Sequence, residues 1–339
     1  MSNPAAKPRG PAPPGPPGLQ RHLVIVHQPG WQSIADWRDI GGRVRRIDPT
    51  IGVLVVSALQ DHSALAERAA ELPTLVFSPG PLGKFRPLRG KVYHGGPMPK
   101  FEQLRRLLAG GVRVPRTQVL TEGARFDPQV WGEFVVVKPT DMASSSKAAG
   151  IQLMRAERVR YIAPGDYPQG HPGRRGPMVV QQFIDTGPEL STYRVLTLFG
   201  EPLYCEYNYL EDSELNLTAD DSVIESTNIA IQGDTMNRHR IFQYDADMVA
   251  LARAAHQAIP EVPLKGCDIL RDHRTGRLYV IEVNPNSNTW HFSSRFMAKL
   301  MLEYPKKYPP ELARQRLEQL DAFGTAAHVL AETTRREAM

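Results

Sequence analysis

Apolar positions in this chain fall into short runs separated by polar or one-sided stretches. Leu23-Val-Ile-Val26, Gly52-Val-Leu-Val-Val-Ser57 and Thr74-Leu-Val-Phe77 are brief, β-branched runs that predict buried strands, and residues 63–71 between the last two predict a helix. Strands alternating with a helix imply a small parallel α/β sheet. Residues 79–99 are rich in Gly and Pro and place a boundary near their end. Beyond it, apolar residues at 101, 104, 107 and 108, with Pro99 before them and Gly110-Gly111 as a stop, predict a helix. An extended lead-in at 112–117 and strands at 133–139, 151–154, 177–184 and 192–199 follow. Residues 247–259 predict a one-sided helix, on which His256 reads as a half-buried core residue. Residues 311–337 predict another, whose stripe of Leu320, Phe323, Ala327 and Leu330 suits packing or a homodimer contact.

Two stretches break the pattern in a chemically suggestive way. In Leu278-Tyr-Val-Ile-Glu-Val-Asn284, Glu282 stands on a strand where an apolar residue would carry no desolvation cost. Asp268 lies on the preceding strand, and Asp272-His-Arg-Thr-Gly276 supplies hairpin-turn residues, so pairing brings Asp268 beside Glu282 and Asn284. Two carboxylates and an amide oxygen form a hard-oxygen cluster suited to Mg²⁺ bridged to nucleotide phosphates. A strand-end carboxylate bonded to a nearby turn is the competing reading. The second stretch is the strand ending in Lys138 with the small-residue loop 141–150 after it, which includes Ser144, Ser145, Ser146 and Lys147. Small residues let backbone N–H groups approach an anion, and the two lysines add charge, although an ordinary loop has the same composition. The pattern GxxxxGK[ST] is absent.

Composition narrows the class. The 339 residues are 41% hydrophobic and 23% charged, as in a globular protein with two or three sub-domains. The net charge of +5 is mild, and the basic clusters at 43–46 and 335–336 lack interleaved aromatics, so they read as solvated faces and no nucleic-acid partner is expected. The two cysteines show no CxxC spacing, which argues against a disulfide framework and for a reducing cytoplasm. No apolar run approaches the roughly 20 residues of a membrane span, so no membrane partner is expected. Residues 1–20, rich in Pro and Gly, predict a disordered tail.

Taken in order, the strand-end lysine, small-residue loop, Gln-Gln-Phe-Ile hinge at 181–184, Gly-x-Glu at 187–189, Tyr-Arg-Val strand and terminal Asp…Glu-x-Asn resemble the ATP-grasp superfamily. That superfamily includes glutathione synthetases, D-alanine:D-alanine ligases and ribosomal-protein glutamate ligases. The resemblance covers about 97–300 and implies an α/β (α+β) ATP-grasp fold over 97–305, with a small lobe at about 112–180 and a large lobe at about 181–305 clasping ATP. A pre-ATP-grasp α/β domain at 21–96 and a C-terminal helix at 306–339 would flank it. It further implies that Lys100 and Lys138, with loop residues Ser144, Ser145, Ser146 and Lys147, hold phosphates. Gln181, Phe183 and Ile184 would meet adenine, and Glu189 the ribose. Arg194 would face phosphate or substrate, Asn228 would lie near an acyl-phosphate, and Asp268, Glu282 and Asn284 would hold Mg²⁺ (or Mn²⁺).

The implied activity is ATP-dependent activation of a carboxylate as an acyl-phosphate and its joining to an amine, on an amino-acid or peptide-like substrate. An ATP-grasp kinase, or a non-catalytic ATP-binding module, would keep the same residues. Two positions depart from the family. Asn286-Ser-Asn-Thr-Trp-His-Phe292 stands where Ser/Thr-Pro-Gly is common, and Gly266 stands where D-alanine ligases have an arginine, leaving Arg194, Arg238 or Arg240 to meet transition-state charge. His291 beside Trp290 reads as a packed aromatic pair.

Overall fold

A computed structural model describes residues 18–140, 150–211, 213, 215–229 and 237–339. Most of the tail and Ser144, Ser145, Ser146 and Lys147 therefore lie outside the described residues. The first apolar runs form β1 (Arg21–His27), β2 (Ile51–Ser57), β3 (Thr74–Ser78) and β4 (Lys91–His94), with α1 (Ile34–Ile47) and α2 (Ser63–Ala70) as crossovers. They make a parallel sheet in the order β2-β1-β3-β4. Helix α1 was not expected from the sequence, where Gly41-Gly42 and the basic run 43–46 interrupt its apolar stripe. It begins at Ser33, whose hydroxyl accepts from Ala35 N–H at 3.2 Å, and it buries Trp37, Ile40, Gly41 and Val44. A Cβ on Gly41 would lie 3.0 Å from Val53 Cγ1, so the glycine lets the helix sit close to the sheet.

After α3 (Lys100–Ala109), an antiparallel sheet forms from β5 (Thr117–Val119), β6 (Phe134–Pro139), β7 (Gln152–Arg155) and β8 (Met178–Gln182), in the order β5-β8-β6-β7, with the short helix α4 (Pro128–Trp131) beside it. It has its own core of Leu120, Phe126, Trp131, Val135, Val137, Tyr167 and Val180. The third sheet is built from β9 (Ser191–Leu198), β10 (Glu201–Leu210), β11 (Arg238–Phe242), β12 (Leu264–Arg271) and β13 (Leu278–Asn284), with α5 (Asp221–Ser226) and α6 (Ala246–Ala258) between strands. It runs β11-β10-β9-β12-β13, antiparallel throughout. One face packs on α3 and α6 through Leu104, Leu107, Val195, Met248, Ala252 and Ile269.

Three further helices close the chain: α7 (Arg295–Glu303), α8 (Pro310–Glu318) and α9 (Ala322–Glu337). Residues 306–339 are thus two helices, where one was expected. The break falls at Asp321, which adopts a left-handed φ of 43° and caps the next helix by accepting from Gly324 N–H. The apolar stripe of α9 is consumed within the chain: Ala326, Ala327 and Leu330 join Leu23, Ile25, Trp37, Phe77, Leu196, Tyr204 and Trp290 in one core shared by the first and third sheets. Trp37 and Trp290 meet at 4.3 Å between ring centroids, and Trp290 Nε1 donates to Asp36 at 2.7 Å. Among the described residues no helix is long and apolar enough to cross a membrane.

Candidate functional site

The β12–β13 hairpin sets the geometry. Its register places Asp268 opposite Glu282 and Gly266 opposite Asn284, so both carboxylates and the amide share one face of the third sheet. The same register places Arg194 of β9 opposite Asp268 on the other side. Its guanidinium grips the carboxylate with two bonds, Nε to Oδ1 and Nη2 to Oδ2, each 2.8 Å. Burial pushes the Asp268 carboxyl up from its ordinary value, against the pull of Arg194. Burial also works against the Arg194 charge, but Asp268 outweighs it and the guanidinium is held protonated more firmly than usual.

Asn284 completes the group. Its Nδ2 donates to Asp268 Oδ2 at 3.0 Å and to Gly266 O at 3.4 Å, which leaves the amide oxygen as the atom to offer a cation. On the outer side Lys100, at the start of α3, donates to Glu282 Oε2 at 2.6 Å in a half-buried pair. Each carboxylate therefore has a basic partner, and the local charge is balanced. Among the described residues no three His, Cys, Asp or Glu side chains gather as a metal cluster. The two carboxylates and the Asn284 amide oxygen nonetheless form a hard-oxygen donor set, of the chemistry that fits Mg²⁺.

Lys138 approaches from the second sheet. It donates to Gln181 Oε1 at 2.7 Å, and Gln181 Nε2 donates to Thr117 Oγ1 at 2.9 Å, so a glutamine flanked by β5 and β6 aims the lysine. Burial, with the Lys100 charge adding to it, lowers the Lys138 ammonium to about 8 despite the opposing pull of Glu282. The lysine therefore lies within the field of both Lys100 and Glu282.

The other expected residues are more dispersed. Gln181 sits inside the strand ladder, and its side chain is committed to Lys138 and Thr117. Phe183 follows β8 and packs with Phe134, Leu153 and Ile224, while Ile184 is buried. Glu189 is exposed, and its carbonyl accepts from Thr186 Oγ1 at 3.0 Å. Asn228 lies two residues past α5. His291 is buried, with Nδ1 3.3 Å from Tyr204 Oη, and burial with the charges of Arg194 and Arg316 lowers it well below the ordinary imidazole value. His256 meets the buried ammonium of Lys265 at 2.6 Å.

Sequence reasoning did not reach Glu206 and Arg316. Glu206 of β10 is 1% exposed; Arg240 of β11 reaches it at 3.3 Å and Arg316 of α8 at 3.4 Å. Burial alone would raise its carboxyl, but the two guanidiniums hold it down at about 2. The available signal was polar alternation, Glu206 with Asn208 on one strand and Arg238 with Arg240 on the next.

No family model matches the chain, and no curated protein does. Solved structures do. Among the proteins it is similar to are ATP-grasp ligases. A ligase of this kind associated with ribosomal-peptide modification in Chryseobacterium gregarium, in complex with ADP and a leader and core peptide, shares 10% identity at a TM-score of 0.48, covering 93% of this chain and 97% of that one. D-alanine–D-alanine ligase from Bacillus anthracis shares 13% identity at 0.42, covering 92% and 99%. The macrocyclase MdnC of Microcystis aeruginosa, bound with precursor peptide MdnA, shares 12% at 0.45, covering 93% and 99%.

Proposed function

We propose that this chain is an ATP- and Mg²⁺-dependent ligase that activates a carboxylate as an acyl-phosphate and joins it to an amine. The observation that carries the reading is the grouping of Asp268, Glu282 and Asn284 on one sheet face, each carboxylate with a basic partner, beside Lys100 and within the field of Lys138. Asp268, Glu282 and Asn284 would hold Mg²⁺, whose chemistry there would be to neutralise charge developing on the transferred phosphoryl group.

The chain's own residues divide the remaining work. Lys138, aimed by Gln181, meets a phosphate with a compact charge, and a nearby anion raises its proton affinity again. Lys100 is held by Glu282 until phosphate oxygens compete for the ammonium. Arg194 keeps the Asp268 carboxylate oriented through its paired bonds. The carboxylate of the acid attacks the γ-phosphorus, ADP leaves, and the amine then displaces phosphate from the acyl carbon. Positioning supplies much of the rate in such a reaction, since the bound groups meet without a further entropy loss.

Trapping tests the reading directly. The chain, ATP, Mg²⁺, a candidate acid and hydroxylamine should yield an acyl-hydroxamate together with ADP, and omission of Mg²⁺ should stop both. ADP released with a stable phosphorylated product and no hydroxamate would instead mark a kinase. Absence of nucleotide binding at millimolar ATP would defeat both enzyme readings.

A further inference from the structure

The second sheet has a face that the nucleotide end does not use. Val137 and Lys138 are successive residues of β6 and point to opposite sides, Lys138 toward Gln181 and Val137 into the separate core behind the sheet. Between β7 and β8, residues 156–177 cross that back face with only single 3₁₀ turns at Ala156–Arg158, Pro164–Asp166 and Pro172–Arg174. A connection this long, with no strand or α-helix of its own, commonly serves binding. Between it and the sheet lies a cavity of about 360 Å³, whose apolar wall is Leu120, Val137, Met154, Val159 and Met178.

Among the described residues three charged side chains border this cavity, Arg158, Arg160 and Glu225. Arg158 holds Glu225 at 3.3 Å, and Asp221, off the cavity, is shared by Arg158 at 3.0 Å and Arg155 at 2.9 Å. Arg160 is left over. Its Nη1 donates to the carbonyls of Glu157 at 2.6 Å and Val159 at 2.9 Å, and no carboxylate pairs with it among the described residues. His171 supplies a second donor. Its Nδ1 accepts from Gly173 N–H at 3.0 Å, which places the ring proton on Nε2, and burial lowers the imidazole from its ordinary value, so it enters as a neutral N–H. A Cβ on Gly150 would come 3.4 Å from that Nε2, and both residues line the cavity, so the N–H stands at its edge.

The wall decides the rest of the ligand. Tyr167 and His171 stack on each other, with ring centroids 4.4 Å apart and planes 1° apart, and a Cβ on Gly173 would fall 2.5 Å from Tyr167 Cε2. The rings are thus spent on neighbours within the connection, and the cavity presents mainly aliphatic and thioether surface, which adapts to a flexible chain. We propose that this cavity binds a small aliphatic monocarboxylate, its alkyl chain against Leu120, Val137, Met154 and Met178 and its carboxylate at Arg160 and His171. A volume of about 360 Å³ is near the lower end for small-molecule sites, which suits a chain of about six carbons. Because Lys138 faces away from it, the site stands whether or not the nucleotide end turns over.

The experiment titrates the full chain, isotope-labelled at its methionine methyls, with hexanoate, hexanol and hexylammonium at fixed ionic strength and without nucleotide. Hexanoate should bind at least about ten-fold more tightly than the other two and should shift the Met154 and Met178 methyl resonances. Arg160→Gln should bring hexanoate down to the affinity of hexanol, and Ile162→Trp, at a 43% exposed position on the rim, should weaken all three ligands. Equal affinity for the three would overturn the proposal, as would an absence of binding at millimolar hexanoate or a hexanoate affinity undiminished by either substitution. Shifts confined to other methionines would also overturn it, placing the acid elsewhere, the nucleotide end included. Benzoate binding more tightly than hexanoate would overturn the aliphatic assignment. Should a variant unfold, the three-ligand comparison and the methionine shifts on the unaltered chain decide alone.

Discussion

Two charged regions lie on one face of the third sheet and follow opposite rules. At the β12–β13 end, charges are matched one to one, Asp268 with Arg194 and Glu282 with Lys100, and the outer pair is half-exposed. At the β11 end, two arginines, Arg240 and Arg316, share Glu206 in a site almost closed to water. The partly wet outer pair, Glu282 with Lys100, can exchange partners at little cost, as a phosphate site would require. An unbalanced, dry cluster cannot relax in that way, because separating a buried carboxylate from its guanidiniums leaves uncompensated charge out of water. On the proposed reading, the balanced pairs lie where the nucleotide would bind.

The comparison breaks most sharply at Glu206. Glu206→Gln removes the counter-charge of Arg240 and Arg316 and should cost about 3–5 kcal/mol of stability in urea denaturation. The same carboxyl has an acid-limb signature. Its folded value near 2 lies below the unfolded one, so its contribution is complete above the unfolded value and is lost as pH falls toward 2. Glu206→Gln should flatten that limb. Glu282→Gln should do the reverse, leaving the urea midpoint nearly unchanged while Mg²⁺-dependent turnover falls on the order of 10²-fold or more in steady-state assays. A Glu282→Gln chain with full turnover would remove that residue from the nucleotide end.

Lys138 sharpens the contrast through pH. Its folded value is depressed to about 8, so the ammonium is lost as pH rises through 8, and apparent ATP affinity should fall above that point by at most about ten-fold per unit. Binding near pH 8 to 9 should take up protons, visible as a buffer-dependent heat. Lys138→Arg should abolish the pH limb. The smallest effect is expected at Asp36, which ties α1 to Trp290 and Ser293. Asp36→Asn should cost on the order of 1 kcal/mol and leave nucleotide binding intact, as measured by thermal shift.

Legibility in the sequence followed how local each cause was. The hairpin joining Asp268 to Glu282 was readable because alternation and a turn fix its register. Lys138 was readable as a strand end, but not its tie to Gln181, which needs the antiparallel register of β6 and β8. Glu206 and Arg316 were hidden because the chain between them spans residues 207–315, and no local pattern announces that a helix this distant supplies the second cation. Helix α1 was hidden for a smaller reason: Gly41 weakens helix propensity, and its benefit, close approach to Val53, exists only in the folded packing.

The stitching of α9 onto the first sheet has a consequence for synthesis. The strands through Ser78 leave the ribosome long before Ala322–Glu337, whose alanines and Leu330 cover them, and Thr74 and Met339 bond backbone to backbone. At roughly 5–20 residues per second, the apolar face of a nascent sheet waits on the order of tens of seconds for its cover. A chain stalled or cut before α9 should therefore be a substrate for chaperones and proteases, instead of a shorter folded protein.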